Sequence, residues 1–511
     1  MGWFKNMVTK AAVKLLNIQP AVSTPIMIQE PLSYEGNVMK NRIWYRGEPS
    51  ELDQFFKNMA LDQVSKSRFW AAVPSENLNI RKMHSGLPAI IVETLADIIA
   101  SDINSIDMEE IQAETWEEIS KDNKFNKLIK QAIVETLVAG DGAFKITIDT
   151  DLTPYPILEY YSGERVDYTV KRGRLQEVLF FTDYTVKNKN YRLIESFGKG
   201  YIKNKLVDER GNEVPLSLVP GLEELKDVTF DNSFMMAVPM KYFESQKWGG
   251  RGKSIFDNKT DSFDALDEII SQWIDAIRAG RVQKYIPEDL IPKNPNNGEL
   301  MKPNPFDNQF IKLGSSLAED DKSKVDMLQP EIRYQAFIES YAKALDMCLQ
   351  GIISPATLGI DLKKLDNAEA QREKEKTTLY TRKKIIDELQ EVLYELINVI
   401  FKTYNTMNNK ACIEDIEVTI NFGEYASPSF DDKVETVGKA KTFGVMSIEQ
   451  CVEELYGDTW TEEEKEEEVK RLKAEQGLLE AEEPKVTDDE ELDNEGDNTE
   501  NIPEDEEDDE E

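Results

Sequence analysis

Two amphipathic segments with a proline-rich insert between them restrict the possible fold of this chain more than any other feature. Residues 260–281 and 331–350 both carry apolar side chains at helical spacing. The opposite face of the first segment is acidic and carries Asp264, Asp267, Glu268 and Asp275. Residues 283–329 contain five prolines. Because so long an insert between two helices is seldom a passive connection, the pattern predicts a helix pair that carries a small domain.

The N-terminal part of the chain changes from a helical to a strand periodicity. Helical spacing is found in residues 50–59, 88–101 and 124–139. After the turn at Gly140-Asp141-Gly142, short runs of alternating residues are separated by glycine and asparagine turns. These runs are residues 144–148, 175–181, 191–194 and 201–207. The region is therefore predicted to form an antiparallel meander.

One very long helix is predicted for residues 367–404, after a loop at residues 352–366. Its first half is polar on nearly every side, whereas its second half has an apolar stripe that includes Ile385, Leu389 and Leu396. Helices that are polar all round commonly bridge domains or subunits, so this pattern implies partner chains.

The C-terminal part combines one strand with three short helices. Residues 416–422 have the composition of a strand, and each helix that follows begins with a capping box. The capping pairs are Ser429 with Asp432, Ser447 with Gln450, and Thr461 with Glu464. These features predict a small helical C-terminal unit.

The net charge of −37 is unevenly distributed along the chain. From Glu480 to Glu511 there are 19 acidic residues and one lysine, so this segment alone carries −18. Dense like charge with few apolar residues predicts a disordered tail. The acidic remainder argues against tight binding of duplex DNA, because that mode of binding needs a basic surface to neutralise phosphates.

The histidine and cysteine residues exclude several kinds of site. The single histidine, His84, excludes metal or catalytic sites that need two imidazoles, and it is predicted to be structural. Cys348, Cys412 and Cys451 are too widely spaced for a metal knuckle or a disulfide framework, which favours a reducing compartment. Abundant Asp and Glu residues single out no acid/base pair. The sequence thus predicts neither an enzyme nor a cofactor.

One glycine-rich segment is similar to a phosphate-binding loop. The segment from Gly249 to Ser254 ends in Gly-Lys-Ser, but Lys247 stands where the motif needs a glycine, and no hydrophobic strand runs into it. It is therefore predicted to be a flexible loop that precedes the helix beginning near residue 260.

No stretch approaches the roughly 18 to 20 apolar residues of a transmembrane helix, and no secretory signal is recognised, so a soluble protein is predicted. Between Trp3 and Leu16 an apolar stripe at helical spacing is accompanied by Lys5, Lys10 and Lys14. Packing of this stripe on the protein itself or on a neighbouring subunit is favoured over docking on a membrane surface.

The order of these features resembles the portal proteins of tailed bacteriophages, and in particular those of phages with Gram-positive hosts. The resemblance rests on the helical N-terminal region, the meander, the helix after Gly252-Lys-Ser-Ile-Phe-Asp257, the proline-rich insert, the return helix, the Ser-Pro loop and the Ala368-Glu-Ala-Gln-Arg-Glu helix. It extends from about residue 40 to residue 478 and implies a mainly helical α+β ring subunit.

The resemblance also implies a domain organisation. It assigns residues 1–258 to a wing, 259–282 and 331–351 to two stem helices, 283–330 to a small α/β clip, 352–366 to a tunnel loop, 367–407 to a long helix, 408–427 to a wing strand and 428–478 to a crown. Residues 479–511, the acidic tail, have no counterpart in the resemblance.

The function implied by the resemblance is that of a ring, typically of twelve subunits, at one capsid vertex. Double-stranded DNA would be packaged and ejected through this ring without sequence-specific contacts. The implied partners are the terminase large subunit, the major capsid and scaffolding proteins, and head completion, adaptor and tail proteins. The protein would be assembled in the host cytoplasm and reside in the virion, with no membrane partner.

Three groups of site residues follow from the resemblance. The tunnel loop would present Asp361, Lys363, Lys364 and Asp366 to DNA as mixed-charge rings, although Lys363 and Lys364 are equally well explained as solvated loop residues. The clip would contact the motor through Lys284, Lys293 and Lys302. The interface between subunits would include Arg278, Arg281, Arg372 and Lys376.

Two other classes of protein remain as alternatives. The first is a packaging ATPase with a phosphate-binding loop, which predicts ATP hydrolysis that depends on Lys253. The second is a different virion scaffold or minor head protein, which predicts no closed ring.

Overall fold

The computed structural model describes residues 32–59, 66–73, 80–230, 234–280, 283–287, 290–301, 310–313, 326–329, 331–360, 368–408, 410, 415–423, 430–457 and 460–475. The chain divides into two compact units, residues 1–426 and residues 427–511. Over the described residues it forms eleven α-helices and fourteen β-strands, so the fold is of the mixed α+β class that the sequence predicts.

Five helices build the first part of the larger unit. They are α1 (Tyr34–Arg46), α2 (Pro49–Met59), α3 (Leu87–Ser101), α4 (Glu110–Asp122) and α5 (Phe125–Ala139). The sequence predicts α2, α3 and α5 individually, because their apolar residues recur at helical spacing. Helix α1 is not among the helices that the sequence predicts. The Ser33 side chain accepts a hydrogen bond from the backbone N–H of Gly36 at its start, and Gly47 ends it in the left-handed conformation.

Two small antiparallel sheets lie against these helices. Strand β1 (Ile103–Asp107) pairs with β14 (Thr419–Phe422), although more than 300 residues separate them. Strand β2 (Asp141–Thr147) lies between β3 (Ile157–Ser162) and β10 (Ala237–Lys241). The prediction that residues 144–148 belong to the meander is therefore wrong. Their strand, β2, belongs to a separate sheet, and its partner β10 follows the meander in sequence.

The meander itself is confirmed as an antiparallel sheet of six strands. In order these are β4 (Val166–Lys171), β5 (Arg174–Val186), β6 (Lys189–Gly198), β7 (Tyr201–Asp208) and β8 (Glu213–Val214), with β9 (Val228–Thr229) also paired to β7. Lys145 of β2 forms a buried ion pair of 2.6 Å with Glu195 of β6, and this pair links the two sheets. The Lys145 ammonium also lies beside the rings of Tyr161, Phe180 and Phe197.

The amphipathic segments that flank the insert form the expected pair of helices. Helix α6 spans Thr260–Ala279 and helix α7 spans Tyr334–Leu349, and the two are in contact. Between them three strands form a small sheet, in which β11 (Gln283–Pro287) is parallel to β12 (Phe310–Leu313) and antiparallel to β13 (Asp326–Leu328).

Helix α8 (Ala368–Met407) is the longest element and contacts β10, β14 and α3. Its C-terminal half supplies fully buried core side chains, including Ile385, Leu389, Leu393 and Leu396, as the apolar stripe predicts. None of the helices in the described ranges combines the length and the apolar character that a membrane-spanning segment needs.

The C-terminal unit contains α9 (Phe430–Thr442), α10 (Ile448–Tyr456) and α11 (Glu462–Glu475). Ser447 caps α10 by accepting a hydrogen bond from the backbone N–H of Gln450. Thr461 and Glu464 form a reciprocal capping box at the start of α11. Ser429, the remaining predicted capping residue, lies outside the described residues.

Candidate functional site

The helix pair α6–α7 is held together by aromatic stacking between its two apolar stripes. The rings of Trp273 and Phe337 are parallel, with an interplanar angle of 2° and a centroid separation of 6.2 Å. That separation corresponds to an offset stack, which is a favourable arrangement for two aromatic rings. Gly280, directly after α6, lies against Ile332 just before α7, so the two chain segments approach closely there.

Lys259, which directly precedes α6, links the two helices by binding the C-terminal end of α7. This end of the helix pair is called its base. Its Nζ donates hydrogen bonds to the backbone carbonyls of Met347, at 2.8 Å, and Gln350, at 2.7 Å. The last carbonyls of a helix have no partner within the helix and form the negative end of its dipole, so a lysine there is favourable. Partial burial lowers the pKa of Lys259 below its usual value.

Two buried carboxylates anchor α6 to the segment that follows α2. Asp264 accepts hydrogen bonds from the backbone N–H groups of Phe69, at 2.8 Å, and Trp70, at 3.1 Å. Asp267 accepts from the Trp70 indole N–H at 3.1 Å and from the Ser85 N–H at 2.9 Å. Burial raises the pKa of Asp264, and the two backbone donors oppose that shift. The acidic face of α6 is therefore a packed surface at Asp264 and Asp267, a role that amphipathic periodicity does not reveal.

His84 has the structural role that the sequence predicts. Its Nδ1 lies 2.7 Å from Oδ2 of Asp267, and its ring packs against Trp44 with a centroid separation of 5.5 Å. A Cβ atom at Gly47, which has a φ of +70°, would lie 2.7 Å from the imidazole. The glycine that ends α1 therefore also makes room for the histidine.

Arg251 and Asp141 connect the segment that precedes α6 to strand β2 and its sheet. This connection is called the joint below. The Asp141 carboxylate accepts hydrogen bonds from Nε and Nη2 of Arg251, at 3.0 and 2.9 Å, and from the Tyr34 hydroxyl at 2.8 Å. The Arg251 guanidinium also lies 3.9 Å from the centroid of the Tyr34 ring. Burial and the Asp141 charge raise the pKa of the Tyr34 phenol well above its usual value. The glycine-rich segment is therefore an ordered joint, and the prediction of a flexible loop is wrong.

The backbone N–H groups of this segment are already engaged within the protein. Those of Gly252 and Ser254 donate to the carboxylates of Asp141 and Asp257, at 2.6 and 3.1 Å, and that of Lys253 donates to the carbonyl of Phe243 at 2.7 Å. A phosphate-binding loop needs such groups free to surround an anion. In this segment two of them bind carboxylates of the protein itself, so the resemblance to a phosphate-binding loop is superficial.

The polar half of α8 is partly buried by the chain itself. Thr378 is fully buried, and its hydroxyl accepts a hydrogen bond from the Ser354 N–H at 2.9 Å and lies 2.7 Å from the Thr357 hydroxyl. Arg382 binds Asp102 and the Gly423 carbonyl. Contacts within the chain therefore account for Thr378 and Arg382.

Comparison with known families identifies the protein class. The family model described as phage portal protein, SPP1 Gp6-like, matches residues 34–478. The chain belongs to this family of phage portal proteins. The resemblance seen in the order of sequence features is thereby confirmed. Portal proteins of this family are structural proteins, so the portal chain is not an enzyme and the packaging ATPase alternative is wrong.

Solved structures with chains similar to this portal protein come from particles of a gene transfer agent, abbreviated GTA. One chain, from the neck of the native GTA particle computed with C12 symmetry, has 13% identity and a TM-score of 0.39, over 75% of this chain and 89% of that chain. Another, from the virion of the native GTA particle, has 12% identity and a TM-score of 0.39, over 91% and 99% of the two chains. Comparison with curated proteins gives no match.

The structure places five of the predicted site residues of the portal chain. Lys284 lies in β11, opposite Phe310 and Met327 in register. Lys293 is exposed in the segment after β11 and is bridged to Leu300. Arg278 is half-buried in the last turn of α6. Arg372 and Lys376 both lie in the first turns of α8, and Lys376 is exposed.

The remaining predicted residues lie outside the described part of the chain. They are Asp361, Lys363, Lys364 and Asp366 of the tunnel loop, Lys302 and Arg281. The loop is described up to Ile360, and its first residues, Ile352, Ile353 and Ser354, are buried. The N-terminal part of this loop is thus attached to the core at the start of α8.

The helix pair also exposes large apolar side chains. Ile277 of α6 and Tyr334, Ile338 and Met347 of α7 are 47%, 65%, 49% and 55% exposed, respectively. Tyr334 and Ile338 are four residues apart and therefore neighbours on one face of α7.

Proposed function

We propose that copies of this portal protein assemble into a closed ring in a virion and that double-stranded DNA is packaged and ejected through the ring. The family match over residues 34–478 is the observation that carries this proposal. In the assembled particle the ring occupies one capsid vertex, contacts the major capsid and scaffolding proteins, and binds the terminase large subunit before head completion, adaptor and tail proteins.

The helix pair α6–α7 is the proposed stem and provides contacts between subunits. In a ring, each subunit presents two different complementary faces to its neighbours. The exposed side chains of Ile277, Tyr334 and Ile338 support this role, because water exclusion from such residues favours association. Arg278, Arg281, Arg372 and Lys376 are the charged residues that we assign to the same interfaces.

The tunnel loop, residues 352–366, is the proposed DNA-facing element. A channel through which duplex DNA slides must avoid strong phosphate binding, and a chain with a net charge of −37 suits this requirement. Asp361, Lys363, Lys364 and Asp366 would form mixed-charge rings around the DNA. The strands β11–β13 belong to the proposed clip, whose lysines Lys284, Lys293 and Lys302 contact the motor.

Imaging of the purified full-length chain tests the ring. We expect negative-stain micrographs to show closed rings with a central hole, and native mass spectrometry to give one discrete subunit number, for which twelve is the proposed value. A different virion scaffold or minor head protein would give no closed ring. Only single particles or open fibres, both in solution and in assembled heads, would contradict the proposal.

A further inference from the structure

A groove of about 700 Å³ lies between the outer face of α8 and the strand β14. Its lining residues are Asp387, Gln390, Glu391, Tyr394, Glu395, Val418 and Ile420. The three acidic side chains are exposed, whereas Val418 is half-buried and Ile420 is buried. The groove therefore has an acidic rim above an apolar floor.

The acidic rim is a line of like charges on α8, and these charges repel one another. Asp387, Glu391 and Glu395 are spaced by four residues, so they are neighbours on one helix face, where like charges are unfavourable. The cations nearest to Glu395 are Lys199 and Lys402. Lys402 is itself paired with Asp415 at 2.6 Å. A cationic occupant of the groove would relieve this repulsion.

The N-terminal segment of the same chain has the complementary chemistry. Residues 1–29 contain three lysines and no acidic residue, in a chain whose net charge is −37. Lys10 and Lys14 are four residues apart, the spacing of the carboxylates on the rim, and the apolar stripe between Trp3 and Leu16 needs a surface to cover it. The described chain begins at Leu32, and residues 17–31 can span up to about 50 Å when extended.

We propose that residues 3–16 dock in the groove between α8 and β14. Lys10 and Lys14 pair with Glu391 and Glu395, and the apolar stripe covers Tyr394 and the accessible part of Val418. The charge pairing fixes the position of the segment, and partial burial of its apolar stripe adds to the affinity. This inference does not depend on the proposed passage of DNA.

Hydrogen exchange of the full-length chain tests the docking. The amides of residues 3–16 should be protected in the native chain, and D387N/E391Q/E395Q should increase their exchange rates by about tenfold. The matched control is E110Q/E114Q/E117Q, which removes three exposed carboxylates from α4 and should leave these rates unchanged. Circular dichroism should be the same for all three proteins, because every substituted residue is on the surface.

Charge reversal adds a test of the pairing itself. Either K10E/K14E or E391K/E395K alone should abolish protection of residues 3–16, and the combined variant should restore it. Zero-length carbodiimide crosslinking of the native chain should join Lys10 or Lys14 to Glu391 or Glu395. Mixing of ¹⁵N-labelled and unlabelled chains shows whether the segment comes from the same copy or from a neighbouring one, and both results support docking in the groove.

Three results would overturn the proposal. The first is unprotected amides at residues 3–16 in the native chain. The second is crosslinking of the N-terminal lysines mainly to the acidic residues 480–511. The third is protection that appears only when anionic lipid vesicles are added, which would assign the stripe to a membrane surface instead.

Discussion

Asp141 determines how the sheet and the helix pair are connected. It is fully buried, and its carboxylate binds Tyr34, Arg251 and the backbone N–H of Gly252. A buried carboxylate is tolerated only when it is paired and fully hydrogen-bonded, which is the case here. From the sequence, Asp141 in Gly140-Asp141-Gly142 indicates only a turn, because its partner Arg251 follows more than 100 residues later.

Replacement of Asp141 by Asn should destabilise the protein by about 3 kcal/mol, because the Arg251 guanidinium loses its buried counter-ion and keeps only the exposed carboxylate of Asp167. Urea unfolding followed by tryptophan fluorescence measures this loss. The control is Asp183→Asn, which removes an exposed ion pair with Arg192 and should cost less than about 1 kcal/mol. Equal losses for the two variants would contradict a special role for Asp141.

Cys348 should resist alkylation at alkaline pH in the folded protein. Burial raises the pKa of its thiol to about 12, so at pH 9 the group remains a protonated, unreactive thiol. We expect peptide mass spectrometry after iodoacetamide treatment at pH 9 to find Cys348 unmodified in buffer and modified in urea. Modification at equal rates in both solutions would show that the base of α7 is open.

At the scale of elements, the periodicity of apolar residues predicts the helices that pack within the chain. It does not predict features that depend on contacts with distant segments. Helices α3, α5, α6 and α7 and the second half of α8 follow from their apolar stripes. The buried face formed by Asp264 and Asp267 does not, because its donors come from Phe69, Trp70 and Ser85, almost 200 residues earlier. The two ends of helix α1 can be predicted from the sequence, since Ser33 and Gly47 are suitable capping residues there.

Replacement of Gly252 by Ala should disrupt the connection between α5 and α6. A Cβ atom at this position would overlap the carbonyl group of Gly140, which is backbone and cannot rotate away. We expect a loss of about 2 to 3 kcal/mol in the free energy of unfolding. Gly249→Ala is the matched control, because nothing lies within 4 Å of its Cβ position, and it should change stability by less than about 0.5 kcal/mol.

Introduction of a charge on the apolar surface of α7 should weaken association of subunits without unfolding the chain. Ile338→Asp places a carboxylate at a position that is 49% exposed and that we assign to a contact between subunits. The fraction of ring measured by native mass spectrometry should fall by about tenfold. Ser340→Asp adds the same charge to another face of α7 and should leave the ring intact. Loss of the ring in both variants would argue against a contact at Ile338.

At the scale of the whole molecule, the order of elements identifies the family more reliably than any single motif. The Gly-Lys-Ser motif, taken alone, indicates a phosphate site that the Asp141 and Asp257 contacts of the segment contradict. The acidic tail and the three groups of proposed site residues stay predictions. The periodicity of apolar residues indicates which side chains are buried within one chain. Contacts between copies leave no separate periodic pattern in a single sequence.

Neutralisation of the tunnel-loop lysines should change DNA packaging but not assembly. K363Q/K364Q removes the proposed positive ring, which should alter packaging efficiency and its dependence on salt, because fewer phosphates are contacted. K383Q/K384Q is the matched control, since it removes an exposed lysine pair from α8. Packaging assays and negative-stain images of the same preparations separate the two effects. Unchanged packaging in K363Q/K364Q heads would assign Lys363 and Lys364 to solvation of the loop.

The anchoring of α6 has a mechanical consequence. Asp264 and Asp267 lie one turn apart and together hold three backbone N–H groups and one indole N–H, while Lys259 holds the end of α7. A tensile load along the helix axis is therefore divided among several hydrogen bonds that have to rupture at once. Such an arrangement makes the base of the helix pair stiff under pulling or torque.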